Sequence, residues 1–243
     1  GKELVKWLDQ AFISGSVNGG GVLLKGVLSD FPFRQKTGVF QVLFETEDIR
    51  LHYQDKWPDV MGVSAEVEFK NEGMQIVAHK GEIAGNQLNQ VSVGIADFET
   101  DHYLHVNGHI DDDLNGLYRF FKQSPISQRV GTLLDHSSVS GPSVVDLTID
   151  IPLRKRLEPK VHAVARLKGN TLKLPNLDLA INGIEGVIKY DENGLSGKSI
   201  KGHVLGEKLE VDIKAEKKST IIDGKGQLDI GNIAKKYPSD VWK

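Results

Sequence analysis

Three histidines fall close together, at His102, His105 and His109. A cluster of imidazoles is the first place to look for a metal ion. On an extended strand His105 and His109 share a face but stand ~13 Å apart, and His102 points the other way. A single metal holds its ligands at ~2.1 Å, so the spacing fits solvated strand histidines better than a metal centre. Gly194-Leu195-Ser196-Gly197-Lys198-Ser199 imitates the end of a phosphate-binding loop. That pattern needs a glycine five residues before Gly197, where Glu192 stands, and a helix afterwards, where Ile200 to Leu205 reads as strand. The expectation there is a turn. Asp111, Asp112 and Asp113 lack the twelve-residue calcium pattern and suit the N-terminus of a helix. There is no G-x-S-x-G elbow and no cysteine. The remaining carboxylates are spread along polar faces. No catalytic constellation emerges, and neither metal nor cofactor is called for.

Composition narrows the classes further. The chain has 243 residues, with 30 Lys and Arg against 33 Asp and Glu, a net charge of −3. That balance argues against nucleic acid, which needs a basic stripe. Hydrophobic residues make up 39% and charged residues 26%, as in an ordinary folded protein. No run of eighteen apolar residues exists to span a bilayer, and no signal peptide is visible. Gly1 stands where an initiator Met is usual, which suggests an excised fragment.

The elements that must carry any site are strands. Val63, Ala65, Val67 and Phe69 alternate with Ser64, Glu66, Glu68 and Lys70. Ile49, Leu51 and Tyr53 do the same, followed by Met74, Ile76 and Ala78, then Val91, Val93 and Ile95. Further on come Val145, Leu147, Ile149 and Ile151, then Val161, Ala163, Ala165 and Leu167, then Leu209, Val211, Ile213 and Ala215. Period two with one apolar and one charged face marks antiparallel strands. Asn-Gly pairs at Asn18, Asn107, Asn115, Asn182 and Asn193, and Asp223-Gly224, predict tight hairpins. A loose glycine repeat (Lys25-Gly26, Lys80-Gly81, Asn107-Gly108, Lys201-Gly202, Lys225-Gly226) has irregular intervals, so it fits a degenerate β-repeat or common glycine alike.

Three segments read as helix. They carry Leu4, Trp7, Leu8, Ala11 and Phe12; Leu114, Leu117, Tyr118 and Phe121; and Ile126, Val130, Leu133 and Leu134. The predicted organisation is residues 1–111 as a helix and β segment, 112–136 as a helical pair, and 137–243 as a second β segment, within one continuous elongated domain. Roughly fourteen strands side by side would span about 65 Å. Three short helices cannot cover that apolar face. The sheet must fold into a sandwich, close as a barrel, or leave an apolar concavity that binds something apolar.

Irregular motifs add a further signal: Asp30-Phe31-Pro32-Phe33, Tyr53-Gln54-Asp55-Lys56-Trp57-Pro58, Ser124-Pro125-Ile126, Val139-Ser140-Gly141-Pro142 and Ile151-Pro152-Leu153. In this order and spacing the chain resembles the YhdP family of AsmA-like bacterial envelope proteins, from about Trp7 to Ile213. The resemblance implies an internal segment of a longer bridge-type lipid transporter. Such a protein is anchored in the inner membrane and projects into the periplasm. Its fold would be mainly β, a long twisted antiparallel sheet curled into a groove. Its partners would be phospholipid acyl chains, carried toward the outer membrane in support of the permeability barrier. No catalytic residues belong to the family.

On that basis the candidate groove lining is Val63, Ala65, Val67, Phe69, Met74, Ile76, Ala78, Val91, Val93, Ile95, Val161, Ala163, Ala165, Leu167, Leu209, Val211, Ile213 and Ala215. Trp57-Pro58 is expected to close a turn over the sheet and Phe31-Pro32-Phe33 to seat a loop, with gating as the alternative for either. The helical pair is a lid or a plug. The rivals are a closed sandwich acting as a spacer or interaction module, and a carbohydrate-acting enzyme. The enzyme needs paired carboxylates and aromatic platforms in one cleft. An aromatic content of 7%, with Trp7, Trp57 and Trp242 far apart, weakens it.

Overall fold

The structure is a computed structural model and describes residues 2–88, 90–125, 127, 136–154, 156–216, 219–227 and 229. The chain is mainly β. Its strands are β1 (Phe12–Lys25), β2 (Val39–Leu51), β3 (Val60–Lys70), β4 (Gly73–Ile83), β5 (Asn86–Gln87), β6 (Val91–Ile95) and β7 (Tyr103–Asp113). They continue as β8 (Ser138–Ser140), β9 (Pro142–Pro152), β10 (Lys160–Leu174), β11 (Leu179–Asp191), β12 (Gly194–Val204), β13 (Glu207–Glu216) and β14 (Ser219–Gly226). The α-helices among the described residues are α1 (Lys2–Ala11) and α2 (Leu114–Gln123). The strands belong to one sheet in the order β1-β2-β3-β4-β6-β7-β9-β10-β11-β12-β13-β14, with β5 on β4 and β8 on β10. The strand pairings among the described residues are antiparallel, as the one-sided alternation requires. The order has two distinct ends, so the sheet is not closed into a barrel.

The chain divides into two compact units. The first is Gly1–Ile110, Gln123–Pro125 and Asp146–His162; the second is Asp111–Lys122, Ile126–Val145 and Ala163–Lys243. In the first, the Phe31-Pro32-Phe33 loop seats by burying Phe33, which is 1% exposed. Its ring lies where Cβ atoms on Gly26 and Gly38 would stand, 2.7 Å and 2.6 Å from ring carbons. Only glycine permits that approach. Phe31 meets Phe33 and Phe40 edge-on at 6.0 Å and 5.4 Å. Trp57 closes a turn, its backbone N–H donating to the Gln54 carbonyl at 3.2 Å, and its side chain is buried.

Several local expectations change. Of the six Asn-Gly and Asp-Gly pairs, Asn193-Gly194 alone lies at a hairpin, between β11 and β12. Asn18-Gly19 and Asn182-Gly183 lie inside β1 and β11, at breaks in register. There the positive φ of Gly19 (64°) and Gly183 (61°) serves a bulge instead of a turn. Asn107-Gly108 and Asp223-Gly224 sit within β7 and β14, and Asn115-Gly116 within α2. The Gly194–Ser199 run is not a turn: it is the start of β12, and the turn precedes it at Glu192 and Asn193.

The helices differ in detail. Asp111, Asp112 and Asp113 are the end of β7, and capping falls to the last of them, Asp113, whose Oδ1 accepts from the Asn115 N–H at 2.8 Å. In α2 the deepest residues are Gly116 and Phe120, while Leu114, Leu117, Tyr118 and Phe121 are half-buried. Helix α1 ends at Ala11, which is buried, and Phe12 opens β1 exposed. The predicted helix over Ile126, Val130, Leu133 and Leu134 lies outside the described residues.

Candidate functional site

Directly opposed residues of neighbouring antiparallel strands share a face, so register decides which candidates meet. In the first unit three rows cross the sheet. One runs Val22, Val42, Phe69, Met74, Ile95. The next runs Gly20, Phe44, Val67, Ile76, Val93, Val106. The third runs Thr46, Ala65, Ala78, Val91, Gly108. At ~4.8 Å per strand the middle row is about 24 Å long. No charged residue interrupts it. Thr46 is the polar member of the set, and its hydroxyl donates to the Ala65 carbonyl at 3.1 Å. Every candidate from Ala65 to Ile95 therefore lies on one apolar face in contact register, and Val63, opposite Ile49, packs with Ala65 and Ala78.

The burial along this face is graded. Val63, Ala65, Val67, Met74, Ala78 and Ile95 are buried, while Phe69, Ile76, Val91 and Val93 are half-buried. Ile49, Val63, Ala65 and Ala78 form one core cluster, with Leu51, Val60, Ile76 and Val91 packed against it. Phe44 stacks on Phe69 with ring centroids 6.3 Å apart, and Phe98 reaches Phe69 at 6.2 Å.

The opposite face is polar. Its rows run Leu43, Glu68, Gln75, Gly94, His105 and Glu45, Glu66, Val77, Ser92, Asn107. Here the histidines find their partners. His105 Nδ1 meets Asp150 at 2.7 Å and its Nε2 meets Asp101 at 3.0 Å, while His109 Nδ1 meets Asp146 at 2.7 Å. The hydrogen bond to Asp150 raises the His105 pKa above the ordinary imidazole range. The Asp59 hydrogen bond does the same for His52. Among the described residues no group of three or more ligating side chains could hold a metal ion.

The second unit repeats the arrangement on its own strands. Ala165, Ile188, Gly197, Ile213 and Ile222 form one row. Ile200, Val211 and Gly224 form another, as do Gly202, Leu209 and Gly226. Ala163 faces Tyr190, Leu167 faces Gly186, and Ala215 faces Thr220. Leu167 and Ile200 are buried. Glycines in these rows leave room that neighbours fill: a Cβ on Gly197 would stand 2.7 Å from Ile200 Cδ1. Val161 belongs to the first unit and is buried there.

Sequence reasoning missed Val42 and Phe44 of β2, Val106 of β7, and Ile188 and Ile222. The β2 alternation of Val42, Phe44 and Thr46 against Gln41, Glu45 and Glu47 was legible, but Leu43 on the polar side blurred it. Within the described residues no helix is long and apolar enough to cross a membrane.

A family model described as YhdP protein matches residues 1–242. The chain is also similar to the intermembrane phospholipid transporter YhdP of Escherichia coli (strain K12), at 23% identity over 220 residues. That alignment takes in 89% of this chain and 17% of the relative's length. No solved structure matches the chain.

Proposed function

The chain belongs to the YhdP family, and from that membership we propose that it is a segment of a phospholipid transporter, shielding acyl chains against the apolar face of each unit. The observation that carries the reading is the uncharged middle row from Gly20 through Phe44, Val67, Ile76 and Val93 to Val106. An acyl chain gains about 0.8 kcal/mol per buried CH₂, so aliphatic and aromatic side chains suffice to hold it. A polar anchor on that face would trap the lipid, and none interrupts the row. Short residues at Ala65, Ala78, Ala163 and Ala165 leave width for a chain. The polar opposite face keeps the outer side of the wall in water, while the headgroup stays in solvent beyond the apolar face.

The segment works in the periplasm as part of a protein anchored in the inner membrane, and it performs no catalysis. The similarity to an intermembrane phospholipid transporter supports the transport role. The second reading is a structural spacer. It draws on the burial of Val63, Ala65 and Ala78, which are already satisfied by their neighbours.

Native mass spectrometry on the purified protein, followed by solvent extraction, separates the two. The transport reading expects co-purifying phospholipid that is lost in Val67→Asp and in Ile213→Asp, with the β circular-dichroism spectrum kept. A lipid-free mass, with no uptake of a fluorescent fatty acid, supports the spacer.

A further inference from the structure

In the first unit the connections at one end of the strands differ in charge. The β3–β4 turn holds Glu72, and the β6–β7 connection holds Asp97, Glu99 and Asp101. Backbone hydrogen bonds tie these connections to their neighbours. The Phe98 N–H donates to the Glu72 carbonyl at 2.8 Å, and the Leu153 N–H donates to the His102 carbonyl at 3.0 Å. The second bond brings in the β9–β10 connection, which carries Arg154 and Arg156. It folds back on itself where the Leu157 N–H donates to the Arg154 carbonyl at 3.1 Å.

The carboxylates at this end are engaged, and the arginines of the β9–β10 turn are not. Arg34 holds Asp97 and Glu99, and His105 holds Asp101 and Asp150. Arg154 and Arg156 are exposed, and among the described residues no salt bridge reaches either. Lys160, which opens β10, has its Nζ 5.0 Å from the centroid of the Tyr103 ring. The turn is therefore a concentration of positive charge beside two negative ones.

The apolar face runs up to this turn. Ile151 alternates with Asp150, so it lies on the face away from His105. Ile151 and Val161 are buried at the ends of β9 and β10, and Leu153 and Leu157 are half-buried in the connection between them. Both strands are interior in the sheet order. Aliphatic wall, aliphatic turn and then cations repeat the order of tail and phosphate in an amphiphile. A guanidinium fork suits phosphate oxygens in particular.

We propose that the β9–β10 turn binds the phosphate of a phospholipid whose chains lie on the apolar face, and that Arg154 and Arg156 favour headgroups with net negative charge. The inference rests on the transport reading for the tails and adds a site for the headgroup. The acidic turns at Glu72 and at Asp97 to Asp101 repel the same phosphate, so the charge pattern directs it to one turn. A zwitterionic headgroup brings an ammonium that the arginines disfavour.

The test is to incubate the protein with vesicles of equal parts dioleoyl phosphatidylglycerol and dioleoyl phosphatidylethanolamine. The protein is re-isolated and its bound lipid is read by native mass spectrometry. The expected result is enrichment of phosphatidylglycerol over the vesicle ratio, declining as salt rises. Losing two exposed charge contacts in Arg154→Gln/Arg156→Gln lowers that enrichment by about fivefold, with total lipid and the circular-dichroism spectrum kept. Lys56→Gln/Lys80→Gln removes two cations from other elements and leaves the enrichment unchanged. No enrichment in the parent, enrichment kept in the arginine pair, or an equal loss in the lysine pair overturns the proposal. A second arm follows the arginine Nε–H resonances by NMR during titration with sn-glycerol 3-phosphate and with inorganic phosphate. Shifts at Arg154 and Arg156 with glycerol phosphate are expected. Tight saturation by inorganic phosphate without sorting of the lipids makes this a free-phosphate site and overturns the headgroup assignment. Absence of all bound lipid removes the transport reading, and the glycerol phosphate shifts then decide the phosphate site on their own.

Discussion

At the scale of residues, the histidines are charge partners in a carboxylate setting. His105 is bonded through both ring nitrogens, to Asp150 and Asp101. His52 lies 2.8 Å from Asp59 and 3.6 Å from Asp55. Both pKa values are raised, first by the Asp150 and Asp59 hydrogen bonds respectively. A raised value means the folded state holds the proton more tightly than the unfolded chain. The stabilisation is full below the ordinary imidazole value of about 6.5 and is lost as pH rises through the folded value. Thermal unfolding should therefore show a midpoint that declines as pH rises above about 6.5, with a shallower decline in His105→Gln. A profile unchanged by that substitution would remove the pair from the account. Asp97 behaves oppositely. The Arg34 hydrogen bond holds its carboxyl well below the usual range, so its contribution is lost as pH falls through that range.

At the scale of elements, turns and close approaches carry the predictions. The β12–β13 hairpin turns through Leu205 and Gly206, with φ of 53° and 86°. Leucine is a poor choice for that left-handed position, and asparagine is tolerated there. Leu205→Asn should raise stability by about 0.5 kcal/mol in urea unfolding, with the slope unchanged. Gly38→Ala should do the reverse, because the new methyl collides with the Lys25 carbonyl and the Phe33 ring. Overpacking of this kind costs about 1–3 kcal/mol. These positions also mark how far the sequence could be read. Strands such as Val63 to Phe69 were legible because one face is apolar and period two leaves no other assignment. Asn18-Gly19 was not, because the same positive φ that makes a hairpin also makes a bulge, and the paired strand decides which. Phe120 was hidden for a related reason. A short amphipathic helix offers two neighbouring stripes, and the packing chooses between them.

At the scale of the whole molecule, the sequence set strand number against helix number and left three ways to satisfy the apolar faces. The single sheet order with two ends removes the barrel. Which residues share a row was beyond sequence reading, since register depends on bulges between Thr46 and Ile49 and between Ser64 and Ala65. The chain covers 17% of its curated relative's length, so the transport claim rests on what this segment itself can hold. The proposed function requires acyl chains to lie on the face of Val67 and Ile76 and not on the face of Glu68 and Gln75. Site-specific photo-crosslinking tests it most directly. A benzophenone amino acid placed in turn at Ile76 and at Gln75, adjacent on β4, is illuminated in cells fed radiolabelled fatty acid. Labelled phospholipid adducts are expected from Ile76 and none from Gln75. Equal labelling at both, or labelling at Gln75 alone, would contradict it.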